Sequence, residues 1–209
     1  MNLSPTSMLM VMAGAALLPF ALVVLTCFVK MAVVLSVART AIGAPQLPPN
    51  SVITGLAMVL SVVVMAPVAG QVYERFKANS AGWESSNLAA KVKVARQAAE
   101  PLRQFLLRHS NPDHVRAVAS ASGKAEDDGS WSCLVAGFVI TQLHQAFRIG
   151  FYIFLPFLVL DMLVASVLLS LGMHMLNPTV MSLPLKLLLF VVANGWEVLG
   201  ANLLGSYHA

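Results

Sequence analysis

GFYIFLPFLVLDMLVASVLLSLGMHMLNPTVMSLPLK, residues 150–186, is the stretch that decides the fold. Its single carboxylate, Asp161, stands among about twenty-five otherwise uncharged apolar positions, enough for a helix to cross a hydrocarbon core of ~30 Å. An Asp at the centre of such a helix costs ~2.5 to 3.5 kcal/mol on insertion scales, so it has to face protein or a water-filled path rather than lipid. The stretch is also punctuated. Pro156 removes a backbone donor ahead of the acid, Gly172 loosens the helix behind it, and Pro178 and Pro184 bracket a turn. Between these breakers lies Met173-His174-Met175, two flexible thioethers around a titratable ring. That is unusual chemistry for a loop facing lipid.

Composition extends the reading to the whole chain. Of 209 residues, 58% are hydrophobic and only 11% charged, against roughly 25% charged in an ordinary soluble domain. This is a membrane protein or the apolar part of a membrane complex. A net charge of +4, spread along the chain, gives no footing for a nucleic acid. Cys27 and Cys133 lie far apart in apolar sequence and read as small buried hydrophobes rather than a disulfide.

Residues 8–29 carry no charge and are divided by Pro19. They lack the basic leader and small-residue cleavage site of a secretory signal and read as a retained helix. Lys30 interrupts the pattern and residues 31–38 resume it, so one kinked helix or two meeting near Lys30 would fit. Lys30 either snorkels to the membrane boundary or partners a buried acid. Residues 39–50, RTAIGAPQLPPN, form a turn entered by Arg39. Gly43 permits a positive φ, while Pro45, Pro48 and Pro49 forbid a continuing helix. Asn50 or Ser51 caps the next apolar helix, residues 52–72, with Pro67 as a late kink. Small residues at Ala32, Ser36 and Thr40, and at Ala57 and Ser61, allow close helix contact. Residues 1–72 thus read as an N-terminal hydrophobic hairpin.

At Tyr73 the composition changes. Residues 73–131 hold 9 of the 13 Lys/Arg and 7 of the 9 Asp/Glu, and mark a polar insert lying in water. Residues 87–109 read as an amphipathic helix, with Leu88, Val92, Ala95, Ala99, Leu102 and Leu106 as its apolar stripe and Pro101 starting a new turn. Its mixed charges are a solvated face. Residues 120–130 read as a mobile loop.

From Cys133 the apolar pattern returns, interrupted by Gln142, His144, Gln145 and Arg148, which can cap, snorkel or bond across an interface. The last segment, residues 183–204, carries Lys186, Asn194 and Glu197. Glu197 can reach Lys30, Lys186 or Arg148 in a packed bundle. His109, His114, His144, His174 and His208 have no metal-ligand spacing, and the chain shows no phosphate loop, dinucleotide fingerprint or nucleophile elbow. Neither metal, cofactor nor enzyme activity is expected. Conduction, sealing and assembly remain. The fold read from these residues is all-α: membrane-associated helical hairpins with about four long, kinked apolar segments, a mainly helical polar insert at 73–131, and a C-terminal hydrophobic hairpin at 132–209.

Two long blocks carry a family resemblance. The region from Phe151 to Trp196, and TCFVKMAVVLSVARTAIGAPQLPPNSVITGLAMVLS followed by VMAPV in the N-terminal half, resemble the R component of type III secretion export gates (SctR), whose flagellar counterpart is FliP. The similarity covers nearly all of the chain except the insert. It implies a protein-export pore in the bacterial inner membrane, multi-pass by sequence, assembled largely on the periplasmic side with the insert facing the periplasm. Its implied partners are further copies of itself in a pentamer-like ring, the small S and T components, a large export component, unfolded proteins in transit and membrane lipid.

The resemblance also implies roles for residues. Met173, His174 and Met175 fall where the family has a methionine-rich loop that narrows the pore. Unbranched thioethers can form an apolar plug that re-packs around a passing peptide. The family commonly has a third methionine where His174 stands, so the seal here carries an imidazole in place of a thioether. Asp161 and Lys186 match an acid and a base of the family's signature, expected to meet charges between subunits or, alternatively, to bond within one subunit. Gln142, His144 and Asn194 stand where charged residues are common. With Lys30, Arg39, Arg148 and Glu197, these make up the expected polar contacts of the membrane and subunit interfaces. Gly43, Pro48, Pro49, Pro156, Gly172 and Pro178 are the expected hinges and turns. Two other classes remain open: a proton-coupled small-molecule transporter using Asp161, His144 and Glu197, and a scaffold that conducts nothing.

Overall fold

The computed structural model describes residues 23–44, 46–79, 88–123 and 130–207, together with Met8, Met12, Ala16, Phe20 and Ala21. Pro19, the side chain of Leu88, residues 124–129 of the expected loop, and His208 lie outside the described residues. Among the described residues every regular element is helical: α1 (Phe28–Ile42), α2 (Asn50–Ala78), α3 (Leu88–Ala98), α4 (Glu100–Arg108), α5 (Pro112–Ala121), α6 (Trp131–Ser170), α7 (Pro178–Val192) and α8 (Gly195–Gly205). Two of them, α2 and α6, are long and apolar enough to cross a membrane. The pair α7 and α8 passes the same test only together, bent by 57°.

Several boundaries differ from the sequence reading, each for a local reason. The first break falls at Thr26 and Cys27, ahead of Lys30, where the Thr26 hydroxyl accepts from the Phe28 N–H at 3.3 Å. Helix α2 does not stop at Val72 but runs six residues further through the first charges to Ala78; Glu, Arg and Lys are good helix formers, and nothing there breaks the ladder. Proline ends neither α2 nor α6. Pro67 and Pro156 sit inside continuous helices, each removing one bond, to the carbonyls of Val63 and Tyr152. The turn expected between Pro178 and Pro184 is helix instead. Asn177 caps it through its side chain, accepting from the Thr179 N–H at 3.0 Å, and Pro178 opens it, the position where proline's missing donor costs nothing.

The chain forms two compact units, one of residues 1–29 with 65–141 and one of residues 30–64 with 142–209. In the first, the insert helices pack along a stripe of Val94, Ala98, Pro101, Phe105 and Leu106, all buried. This lies off the predicted stripe by part of a turn, since Val92 is 45% exposed while Val94 is 5%. The buried positions follow one another at spacings of four, three and four from Val94 to Phe105, so the stripe crosses the junction at Ala99 without a change of phase. Helix α5 then approaches α6 at Gly137, where an added Cβ would stand 2.6 Å from Val115. Beside that contact Thr141 donates to the Gly137 carbonyl at 2.7 Å and accepts from the Asn111 N–H at 3.0 Å. With its one proton committed, Thr141 accepts from His114 Nδ1 at 2.9 Å as well. Cys27 and Cys133 are both buried.

In the second unit α1 buries Met31, Val34, Leu35, Ala38, Ala41 and Ile42. The small residues Ala32, Ser36 and Thr40 lie off this stripe, whereas Ala57 and Ser61 of α2 are buried as expected for close contact. Ala38, Ala41, Ile42, Phe157, Phe190 and Leu199 form one core cluster, with Ile153 packed against it. Helices α6 and α7 fold back on one another around this cluster, Phe157 facing Phe190 with ring centroids 6.5 Å apart.

Candidate functional site: the loop at the tip of the α6–α7 hairpin

The loop after α6 is fixed at both ends by backbone chemistry. Gly172 adopts φ +76°, a left-handed conformation that glycine enters without a Cβ clash. Its N–H donates to the Leu169 carbonyl at 3.1 Å and the Met173 N–H to the Leu168 carbonyl at 2.9 Å. These two bonds are a Schellman stop, which satisfies the orphan carbonyls of the last turn. Asn177 and Pro178 start α7 at the other end. Residues 173–176 are what remains, and all four are exposed, Met173 at 47%, Leu176 at 43% and Met175 completely. The chain thus holds two thioethers and an imidazole on a short, closed turn with no cover of its own.

Behind the loop lies the ion pair. Ser182 and Lys186 are four residues apart on α7, hence on one helical face. Lys186, 3% exposed, donates through Nζ to Asp161 Oδ2 at 2.6 Å, and Ser182, fully buried, donates to Oδ1. Both carboxylate oxygens are therefore engaged within one chain, the alternative arrangement of the two expected from the sequence. Gly43, at φ +86° after α1, leaves open the space beside Lys186, whose Nζ would stand 3.8 Å from an added Cβ. Asp161 precedes the end of α6 by nine residues, so at 1.5 Å per residue the pair sits roughly 14 Å back from the loop.

A second polar cluster gathers around Lys30. It is 2% exposed, donates to Gln145 Oε1 at 3.0 Å and Ser206 Oγ at 2.9 Å, and lies 4.5 Å above the centroid of the Tyr207 ring. The Tyr207 hydroxyl in turn donates to Gln142 Oε1. Lys30 is thus held between α6 and the residues that follow α8. Arg39 spans the turn after α1, donating to the Pro48 carbonyl at 3.1 Å and to Asn50 Oδ1 at 2.6 Å. Asn50 consequently receives a guanidinium.

The other expected contacts do not converge. His144, Arg148 and Glu197 are exposed, and Glu197 forms no ion pair with Lys30, Lys186 or Arg148 among the described residues. Asn194 adopts φ 49° and forms the elbow between α7 and α8. Among the described residues no three His, Cys, Asp or Glu side chains come together as a metal set. Ser182, Ser206 and Tyr207 were missed in the sequence, whereas Gln145 stood among the polar positions singled out there. Spacing could have found Ser182, one turn before Lys186; nothing local pointed to Ser206 and Tyr207, which meet Lys30 only through tertiary packing.

Comparison with known proteins places this geometry in a lineage. The FliP family profile matches residues 10–203. The hypersensitivity response secretion protein HrcR of Ralstonia nicotianae is 36% identical over 216 residues, covering 99% of each chain. The Yop proteins translocation protein R of Yersinia pestis is 37% identical over 210 residues, covering 96% of this chain and 95% of its own. The flagellar biosynthetic protein FliP of Pectobacterium carotovorum is 37% identical over 205 residues, covering 96% of this chain and 78% of its own. The match takes in α1 to α7, the loop between Gly172 and Asn177, and the Asp161–Lys186 pair: the chain belongs to the FliP family, the R/FliP components of type III secretion export.

Proposed function

We propose that this chain is a core subunit of the type III export gate, whose copies encircle a pore through which unfolded proteins cross the bacterial inner membrane. The observation that carries this is the loop itself. Met173, His174, Met175 and Leu176 are held outward on a backbone closed at both ends, with Met175 wholly uncovered. Apolar side chains fixed in that way need cover from outside their own chain. Sister copies around an axis supply it, and the thioethers re-pack when a peptide passes. The exposed apolar flank of α6 supports the same reading, because only 11% of its most apolar window is buried within the chain. The small S and T components, a large export component and further copies in a pentamer-like ring are the partners for that flank. The insert, 73–131, lies on the periplasmic side in this reading, between hydrophobic hairpins at 1–72 and 132–209.

The transporter reading loses its relay. Asp161 is taken by Lys186 and Ser182, while His144 and Glu197 are exposed. Replacing Met173, His174 and Met175 together by glycine in the assembled complex tests the proposal. Ion conductance in a planar bilayer should rise sharply while the complex still purifies intact. Unchanged conductance from an intact complex would leave the scaffold reading in its place.

A further inference from the structure

Histidine spacing alone gives this chain no metal set, but the thioethers on either side of His174 supply other donors. Met173, His174 and Met175 put two sulfurs and an imidazole on one turn, which the Leu176 N–H closes by donating to the Met173 carbonyl at 3.4 Å. Consecutive Cα atoms stand 3.8 Å apart, so the three side chains leave the backbone within roughly 7 to 8 Å of one another. An unbranched Met has three rotatable bonds, which lets its sulfur turn toward a shared point. The donors are also uncommitted. Met175 is wholly uncovered and Met173 is 47% exposed. The His174 ring, exposed as well, forms no hydrogen bond, ion pair or ring contact among the described residues.

Charge and softness decide the ion. The nearest Lys, Arg, Asp or Glu on either side along the chain are Asp161 and Lys186, and they are bound to each other. A turn with no carboxylate, no thiolate and one imidazole suits neither Zn²⁺ nor Ca²⁺ nor Mg²⁺. Thioether sulfur selects Cu(I) instead, and Ag(I) shares its charge and its filled d shell. Exposure by itself does not make such a site. Met58, Met162 and Met181 are exposed too, yet none has a His or a second Met within four residues. We propose that the turn at 173–176 binds a soft monovalent cation of the Cu(I) class, held by the sulfurs of Met173 and Met175 and one ring nitrogen of His174. Binding needs only this turn, so the inference is independent of whether the loop lines a pore.

The test uses the full chain in detergent, its methionine methyl groups labelled with carbon-13, and Ag(I) added as the nitrate in chloride-free buffer. Met173→Leu and Met175→Leu each delete one methyl resonance and so assign it. In the wild type these two resonances should shift together and saturate at one ion per chain, while those of Met58 and Met162 hold still. Cu(I) delivered from a chromophoric chelator should compete for the same pair, and Zn(II) should leave it unmoved. His174→Leu should weaken silver binding by roughly 10- to 100-fold, at least the loss that follows removal of an outer-shell partner of a metal ligand. Equal shifts at Met58 and Met162, a His174→Leu variant that binds silver as tightly as the wild type, or displacement of silver by Zn(II) would each overturn the proposal.

Discussion

Asp161 and Lys186 stand equally far before and after the Met173–His174 peptide bond, and they meet at 2.6 Å. Phe157 and Phe190 obey the same symmetry one turn further back. The loop is thus the geometric centre of an antiparallel hairpin, and the ion pair fixes its register. A slip of α7 by one residue would turn Lys186 away by about 100°.

Breaking that pair should cost unequally. Lys186 is nearly inaccessible while the Asp161 side chain keeps 29% of its exposure, so Asp161→Leu strands the more buried charge. We expect a loss of about 3 kcal/mol for Asp161→Leu, about 1 to 2 kcal/mol for Lys186→Met, and most of the loss restored in the double variant. Melting of the detergent-solubilised chain measures all three. Equal single losses that simply add in the double variant would show that the two groups are not coupled.

Gly172→Ala forces a Cβ into a φ of +76° and should cost about 1 to 2 kcal/mol. Gly172→Asn should be milder, since Asn tolerates the left-handed region. Because the same glycine aims the loop, Gly172→Ala should also raise ion leak through the assembled complex. A tight seal together with an unchanged melting point would contradict this account.

Lys30→Met removes the donor shared by Gln145 and Ser206 and leaves the Tyr207 face without its cation. Gln145 is half-buried and Ser206 exposed, so each lost hydrogen bond costs about 0.5 to 1.5 kcal/mol. The end of α8 should loosen first, seen as faster protease trimming at the C-terminus. Lys30→Arg should not rescue fully, because a planar guanidinium does not fit a site shaped for a point charge. Trimming at the wild-type rate in Lys30→Met would rule the clasp out.

At the elbow, Gly195→Ala would place a Cβ 2.2 Å from the Phe190 ring, which is itself packed edge-on against Trp196 at 5.1 Å. Overpacking of this kind costs about 1 to 3 kcal/mol. Combining it with Phe190→Leu should recover part of the loss. Tryptophan emission should shift in the single variant as Trp196 is displaced, and an unmoved spectrum would refute the contact.

How much of this was legible depended on distance along the chain. The helical class, the glycine at position 43 and the breaker at Gly172 follow from short-range sterics, which neighbouring residues carry in full. Element ends were less legible. Pro156 and Pro184 read as interruptions, but a proline deletes one hydrogen bond, and a long apolar helix absorbs that loss within its remaining ladder. The insert's stripe was misplaced because Val92 and Ala95 offer as good a helical spacing as Val94 and Ala98, and only packing decides which set is buried.

The amino-acid order alone determined the family, the helical class and the breakers that bound the Met-His-Met loop, because composition and local steric rules act over a few residues at a time. Only the tertiary structure decided that Asp161 is matched by Lys186 and Ser182, that Lys30 clasps Ser206 and Tyr207, and that Glu197 is left facing outward. Those choices depend on which helical faces meet across tens to hundreds of residues, and helix packing sets that, which no local pattern records.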